Sequence, residues 1–157
     1  MKPILEQIAL QLQQKSWLLV TAESCTGGGV AQRLTSLSGS SLWFDRGFIT
    51  YSNAAKQELL DVGEDLLDQY GAVSEQVAVA MARGALAHSR AQASLAVTGI
   101  AGPSGGTEAK PVGTVWFAWA LETDTKTACQ VFFGDRQSVR NQSEAFALQG
   151  LLDMVSR

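Results

Sequence analysis

The sequence predicts an α/β fold: one three-layer α/β/α domain over residues 1–157, built on a mixed central sheet. Three observations carry that expectation. Short apolar runs alternate with stretches of helical spacing along the chain. Two long strand-like runs near the end are joined only by Glu122-Thr123-Asp124-Thr125, which reads as an antiparallel hairpin and makes the sheet mixed. No repeat, low-complexity tract or linker divides the chain, and 157 residues suffice for one substantial core.

Each element follows from local chemistry. Pro3 fits the first turn of a helix, and Ile4, Leu5, Ile8 and Leu12 continue it at helical spacing. Residues 17–22 read as a buried strand and 28–37 as a helix, with a turn at Ser38-Gly39-Ser40-Ser41. Phe48-Ile49-Thr50-Tyr51 is a run of aromatic and β-branched residues, hence a strand. Ser52 or Asn53 then caps a helix reaching about Leu60. Ser74 caps a long Ala-rich helix to about Arg90, whose small side chains suit close packing on a sheet or another helix. Ser94–Thr98 is a strand, followed by the glycine-rich loop Gly99–Gly106. The hairpin strands cover about 112–122 and 126–133. Asp135 caps a last helix with Val139, Phe146, Leu151 and Met154 roughly on one face.

Composition excludes several classes of function. A formal net charge of −3 with scattered Lys and Arg provides no basic face for nucleic acid. No apolar stretch approaches the roughly 20 residues that span a bilayer, so no membrane partner is expected. The N-terminus carries Glu6 and no small-residue cleavage site, unlike a signal peptide. Cys25 and Cys129 imply no disulfide framework, and a reduced, cytoplasmic setting is expected. With one histidine, His88, in an Ala-rich helical stretch and no cysteine pair at ligand spacing, no metal site is expected. His88 is also the only histidine on which a Ser-His-Asp triad could draw.

Four constellations can carry chemistry. In Glu23-Ser24-Cys25-Thr26-Gly27-Gly28-Gly29 a strand ends in hydroxyl residues and glycines just before a helix. Backbone N–H groups of Thr26, Gly27 and Gly28 would then be free at a helix N-terminus, beside a candidate nucleophile, Ser24 or Cys25. The loop lacks the lysine of a P-loop and is not G-x-G-x-x-G; a capping turn explains the same residues without chemistry. In Tyr51-Ser52-Asn53-Ala54-Ala55-Lys56, a lysine in the first turn of a helix is disfavoured by the dipole. Lys56 is either a surface residue or, partly buried, a base of lowered pKa. Thr98-Gly99-Ile100-Ala101-Gly102-Pro103 lies where loops of open α/β sheets line ligand crevices, and Thr98 could hydrogen-bond substrate or the lysine. Arg136 and Arg140 share one face at the start of the last helix and suit a phosphate or carboxylate, or are solvated surface arginines.

These motifs, with Tyr51-Ser52-Asn53, Gly71-Ala72-Val73-Ser74-Glu75, Lys110-Pro111-Val112-Gly113-Thr114-Val115 and Gly134-Asp135-Arg136, resemble the CinA C-terminal domain family, the nicotinamide-nucleotide amidases (NMN deamidases of the PncC type). The resemblance covers nearly the whole chain. It implies hydrolysis of the carboxamide of nicotinamide mononucleotide (NMN) to nicotinate mononucleotide and ammonia, without a cofactor. It places the nucleophile on Ser24, the lysine base on Lys56, supporting groups on Tyr51 and Thr98, and an arginine on Arg136 or Arg140. Gly99 and Gly102 join Thr26, Gly27 and Gly28 as expected substrate contacts. Larger members carry a molybdopterin-binding-like N-terminal domain that these residues do not contain; short stand-alone members also exist. Gly29 stands where the family pattern implies a bulkier residue.

The competing reading is a non-catalytic nucleotide-binding or partner-binding module. It would keep the glycine loops and arginines and have no use for a Ser24–Lys56 contact, so the separation of Ser24 Oγ from Lys56 Nζ discriminates. Trp116, Phe117 and Trp119 exceed what one small core needs, from which a homo-oligomer such as a dimer is expected.

Overall fold

Helices lie on both faces of a five-stranded mixed sheet in the computed structural model, which describes residues 1–157. The chain runs through α1 (Lys2–Gln14), β1 (Leu19–Glu23), α2 (Gly29–Thr35), a short 3₁₀ turn (Ser40–Leu42), β2 (Phe44–Ile49), α3 (Asn53–Leu60), α4 (Glu64–Tyr70) and α5 (Glu75–Ala87). It then forms β3 (Ala93–Gly99), β4 (Thr114–Leu121), β5 (Thr125–Val131) and α6 (Arg136–Val155). The strand order is β2-β1-β3-β4-β5. The first three strands are mutually parallel, and β4 and β5 are antiparallel additions. No helix is long and apolar enough to cross a membrane.

The alternation of side chains along each strand divides the core in two. On one face Leu19, Leu95, Val97, Phe117 and Trp119 pack against α1 and α6. On the other, Ala22, Ala96, Ala118 and Ala120 meet Ala78, Ala82 and Ala85 of α5. Small residues on both sides bring α5 close to the sheet, as its Ala-rich sequence predicts.

Gly84 extends that close approach to the next helix. A Cβ there would overlap the carbonyl oxygen of Leu60, at the end of α3. Gly84→Ala is therefore expected to lower stability in urea by about 1–3 kcal/mol, the usual range for overpacking. An unchanged urea midpoint would show that α3 has slack to yield.

Several boundaries differ from the sequence expectation. The second strand is Phe44–Ile49, not 48–51, and Tyr51 lies beyond it. Asp45, Arg46 and Gly47 obscured it, because β2 is a sheet edge whose side chains are half-buried or exposed. Residue spacing does not signal the seven-residue α4, which buries only Leu67 and so has weak apolar periodicity. The helix predicted over 28–37 is Gly29–Thr35, and the one predicted to about Arg90 ends at Ala87. Phe117 and Trp119 are buried within the chain's own core, stacked on each other and packed on Phe146, and Trp119 Nε1 donates to Ala147 O. These two aromatics are therefore no surface surplus awaiting a second copy.

Candidate active site

Parallel strands β1, β2 and β3 end at the same edge of the sheet, and each is followed by a segment that the sequence singles out. Backbone pairing continues a step past the strands: Ser24 N–H donates to Val97 O at 2.9 Å, and Thr50 N–H to Glu23 O at 2.8 Å. The chain then turns sharply through Ser24–Gly28, with Gly27 and Gly28 at φ of +60° and +102°. Such φ values strain any residue with a Cβ.

Lys56 enters from α3. Ser52 is the cap, its Oγ accepting from Ala55 N–H at 3.0 Å, and Lys56 N–H closes the first turn on Ser52 O. The side chain does not reach solvent; Lys56 is 1% exposed. Nζ donates to Thr50 O at 2.8 Å and lies 3.0 Å from Ser24 Oγ. Burial without a carboxylate partner pushes its pKa down from 10.5 to about 8, and the neighbouring Cys25 opposes this slightly. The cause is burial in the low-dielectric interior. A neutral amine has two N–H groups and one lone pair. With one N–H on Thr50 O, the lone pair can accept the Ser24 hydroxyl proton across the same 3.0 Å contact.

Cys25, the rival nucleophile, is 6% exposed, and burial pushes its thiol up to about 12. It is a protonated thiol at neutral pH, whereas nucleophilic cysteines are thiolates.

Ser24, Lys56, Thr98, Gly99, Gly102 and Arg136 line one open cavity of about 280 Å³, with Tyr51 at its wall. Arg136 holds the mouth: Nη1 donates to Gly102 O at 2.8 Å and Nη2 to Tyr51 Oη at 2.8 Å. Thr98 Oγ1 donates to Ala72 O at 2.9 Å, fixing the segment before α5 rather than contacting the lysine. Ala72 and Val73 thereby line the cavity too, a role that a Gly71-Ala72-Val73 motif alone does not reveal.

Thr26, Gly27, Gly28 and Arg140 are not among the residues lining this cavity. Gly27 N–H is occupied by Ser24 O at 3.0 Å, and Thr26 Oγ1 donates to Glu23 Oε1 at 2.5 Å. Gly27, Gly28 and Arg140 line a second cavity of about 600 Å³ behind the turn. The N–H groups of Cys25 and Thr26, the two residues after Ser24, donate to no other residue of the chain. Glu23 has a role that residue types alone do not reveal. Its carboxylate is 1% exposed and accepts Val30 and Ala31 N–H at 2.8 and 3.0 Å, anchoring the start of α2. A carboxylate just before a helix start was the available signal.

Gly29 has a structural reason. A Cβ there would overlap the Glu144 carboxylate, which pairs with Arg33 at 2.5 Å. The space that a bulkier residue would fill is taken by that ion pair. His88 caps the far end of α5 and contacts Asp61 at 2.5 Å, away from Ser24.

Comparison with known proteins agrees with this architecture. Residues 1–155 match the CinA C-terminal domain. The nicotinamide-nucleotide amidohydrolase PncC of Enterobacter agglomerans is 54% identical over 147 residues, covering 93% of this chain and 90% of that protein. A CinA-like protein of Colwellia psychrerythraea is 56% identical over 128 residues, which are only 30% of its length. The crystal structure of competence/damage inducible protein CihA from Agrobacterium tumefaciens superposes with a TM-score of 0.94 at 40% identity, covering 99% of this chain and 94% of that one. In sequence and in fold, the chain belongs to the CinA C-terminal domain family.

Proposed function

We propose that the chain is an amidohydrolase that converts nicotinamide mononucleotide to nicotinate mononucleotide and ammonia, by a Ser–Lys mechanism, in cytoplasmic recycling of pyridine nucleotides. The observation that carries the reading is the buried 3.0 Å contact between Lys56 Nζ and Ser24 Oγ. A non-catalytic nucleotide-binding module has no need to bury a lysine against a serine hydroxyl. The names of the PncC relatives supply the substrate.

In this mechanism neutral Lys56 takes the Ser24 proton as Oγ attacks the carboxamide carbon. The oxyanion meets the N–H of Cys25, which lines the cavity beside Ser24 and donates to no other residue of the chain. Protonated Lys56 returns the proton to the leaving nitrogen, and ammonia departs from an acyl-serine. Water, deprotonated by the same lysine, cleaves that ester. These steps need neither a metal nor an organic cofactor.

The nucleotide phosphate fits the opposite wall of the cavity. There the N–H groups of Ala101, Gly102, Ser104 and Gly105 have no acceptor in the chain, and Arg136 stands beside them. Substrate without the phosphate should bind poorly. Nicotinamide riboside is expected to show a KM at least about tenfold above that of the mononucleotide, with a smaller change in kcat, the signature of lost uniform binding. Equal kcat/KM for the two would show that nothing in the cavity reads the phosphate.

The deciding experiment is ammonia release from NMN by the purified chain, with nicotinate mononucleotide identified as the co-product. Production of both in equal amounts supports the reading. No ammonia above the enzyme-free rate would overturn it.

A further inference from the structure

Arg140 sits behind the nucleophile turn, not in front of it. Side chains alternate along β1, so Glu23 faces α2 and α6 while Ser24 faces the lysine side. Arg140, from α6, approaches on the Glu23 side and lines the second cavity. Its Nη2 donates to Thr26 O at 3.2 Å. Gly27 leaves room for this: a Cβ there would lie 3.3 Å from Nη2. The guanidinium makes no other hydrogen bond, and its buried Nε has no partner at all.

The bonds that follow form a series. Arg140 Nη2 donates to the carbonyl of the Thr26–Gly27 peptide. The N–H of that peptide, on Gly27, donates to the carbonyl of the Ser24–Cys25 peptide at 3.0 Å. The N–H of this second peptide, on Cys25, donates to no other residue and lies next to Ser24. Hydrogen bonds in series polarise one another, each making the next donor more acidic. A cation at the head of the series therefore strengthens the donor at its tail. The turn itself is held rigid by Glu23, which fixes Thr26 Oγ1 and the start of α2. The positive charge also reaches the neighbouring thiol, where it opposes the burial-driven rise at Cys25.

We infer that Arg140 is a positioning residue that polarises the oxyanion-binding amide of Cys25 through two peptide groups, and is not a reader of the substrate phosphate. The inference rests on the Ser24 amidase reading. It assigns Arg140 a role expressed in the transition state, when negative charge develops on the substrate oxygen, and not in ground-state binding.

The test begins with wild type turning over NMN; a wild type without ammonia release overturns the amidase reading itself. In an active protein, Arg140→Met keeps the aliphatic stem and removes the cation. It should lower kcat by about threefold to eightfold, the share of an oxyanion donor's 10²–10³ that a polarisation of roughly 10–30% can supply. KM for NMN should stay within about twofold, and inhibition by pyridine-3-carbaldehyde, whose serine adduct carries an oxyanion, should weaken in parallel with kcat. Arg140→Ala opens a gap onto the second cavity, and millimolar guanidinium chloride should restore part of kcat there. Arg33→Gln, which removes the other cation of that cavity without touching the turn, should leave kcat unchanged and so controls for general disturbance. A raised KM with unchanged kcat would overturn the inference in favour of substrate binding by Arg140. A kcat within twofold of wild type in folded Arg140→Met, checked by near-ultraviolet circular dichroism, would also overturn it. If neither Arg140 variant folds, the aldehyde arm moves to Arg140→Gln, which removes the cation and keeps a polar donor: a weaker aldehyde with unchanged NMN affinity supports the relay, and unchanged affinity for both refutes it.

Discussion

Ser24→Ala is expected to abolish ammonia release from NMN, by as much as about 10⁶-fold, the loss seen when a serine hydrolase loses its nucleophile. The fold should be untouched. The only hydrogen bond of Ser24 Oγ is with Lys56 Nζ, while the turn is held by backbone bonds of Ser24 and Gly27 and by Glu23. NMN should still bind to the variant, because the loop around Gly102 and Arg136 is unaltered, and titration calorimetry would measure this. Cys25→Ala is the paired experiment. The Cys25 thiol, raised to about 12, is neutral at working pH and cannot compete as a nucleophile. Its removal should leave activity within about tenfold of wild type. An inactive Cys25→Ala together with an active Ser24→Ala would reverse the assignment.

How far the sequence carried the site depended on the kind of information required. The strand-turn-helix at Ser24 and the cap at Ser52 are local, so residue types and spacing reported them. The parallel arrangement of β1, β2 and β3 then gathered three of the four motifs at one sheet edge, as the general behaviour of α/β sheets leads one to expect. Directions of side chains were less accessible. Arg136 and Arg140 are one helical turn apart and look equivalent in sequence, yet one bridges Gly102 O and Tyr51 Oη while the other grips Thr26 O from behind. Their difference depends on where the β1 turn crosses α6, a tertiary fact. Thr98 shows the same limit: its hydroxyl serves Ala72 O instead of the lysine. Glu23 was hidden differently, since a carboxylate beside a glycine turn looks like a surface residue until α2 folds over it. Gly29 looked like a departure and is explained by Glu144, 115 positions later in the chain, whose carboxylate occupies the space.

Lys56 should reveal itself through pH. With a folded-state pKa of about 8, only about a tenth of the protein carries the neutral base at pH 7. kcat/KM should therefore rise with pH and level off above about 8, since that profile reports the free enzyme. Lys56→Arg cannot deprotonate in this range, and Lys56→Met has no base at all; both should lose at least about 10³-fold in kcat. Stability should move in a linked way. Between about 8 and 10.5 the unfolded chain holds the lysine proton and the folded chain does not, so wild-type stability should rise with pH across that window. Below about 8 the folded state carries a buried ammonium whose neighbours Thr50 O and Ser24 Oγ are uncharged, and the full penalty is present. Lys56→Met removes the titrating group, so it should be more stable than wild type at pH 7, and its stability should lack the Lys56-dependent rise. Urea unfolding of both proteins from pH 6.5 to 10 measures this without reference to activity. A Lys56→Arg variant that retains most of the wild-type rate would make Lys56 a fixed positive charge and require a base elsewhere. Parallel stability curves for wild type and Lys56→Met would show that its pKa is not depressed by folding.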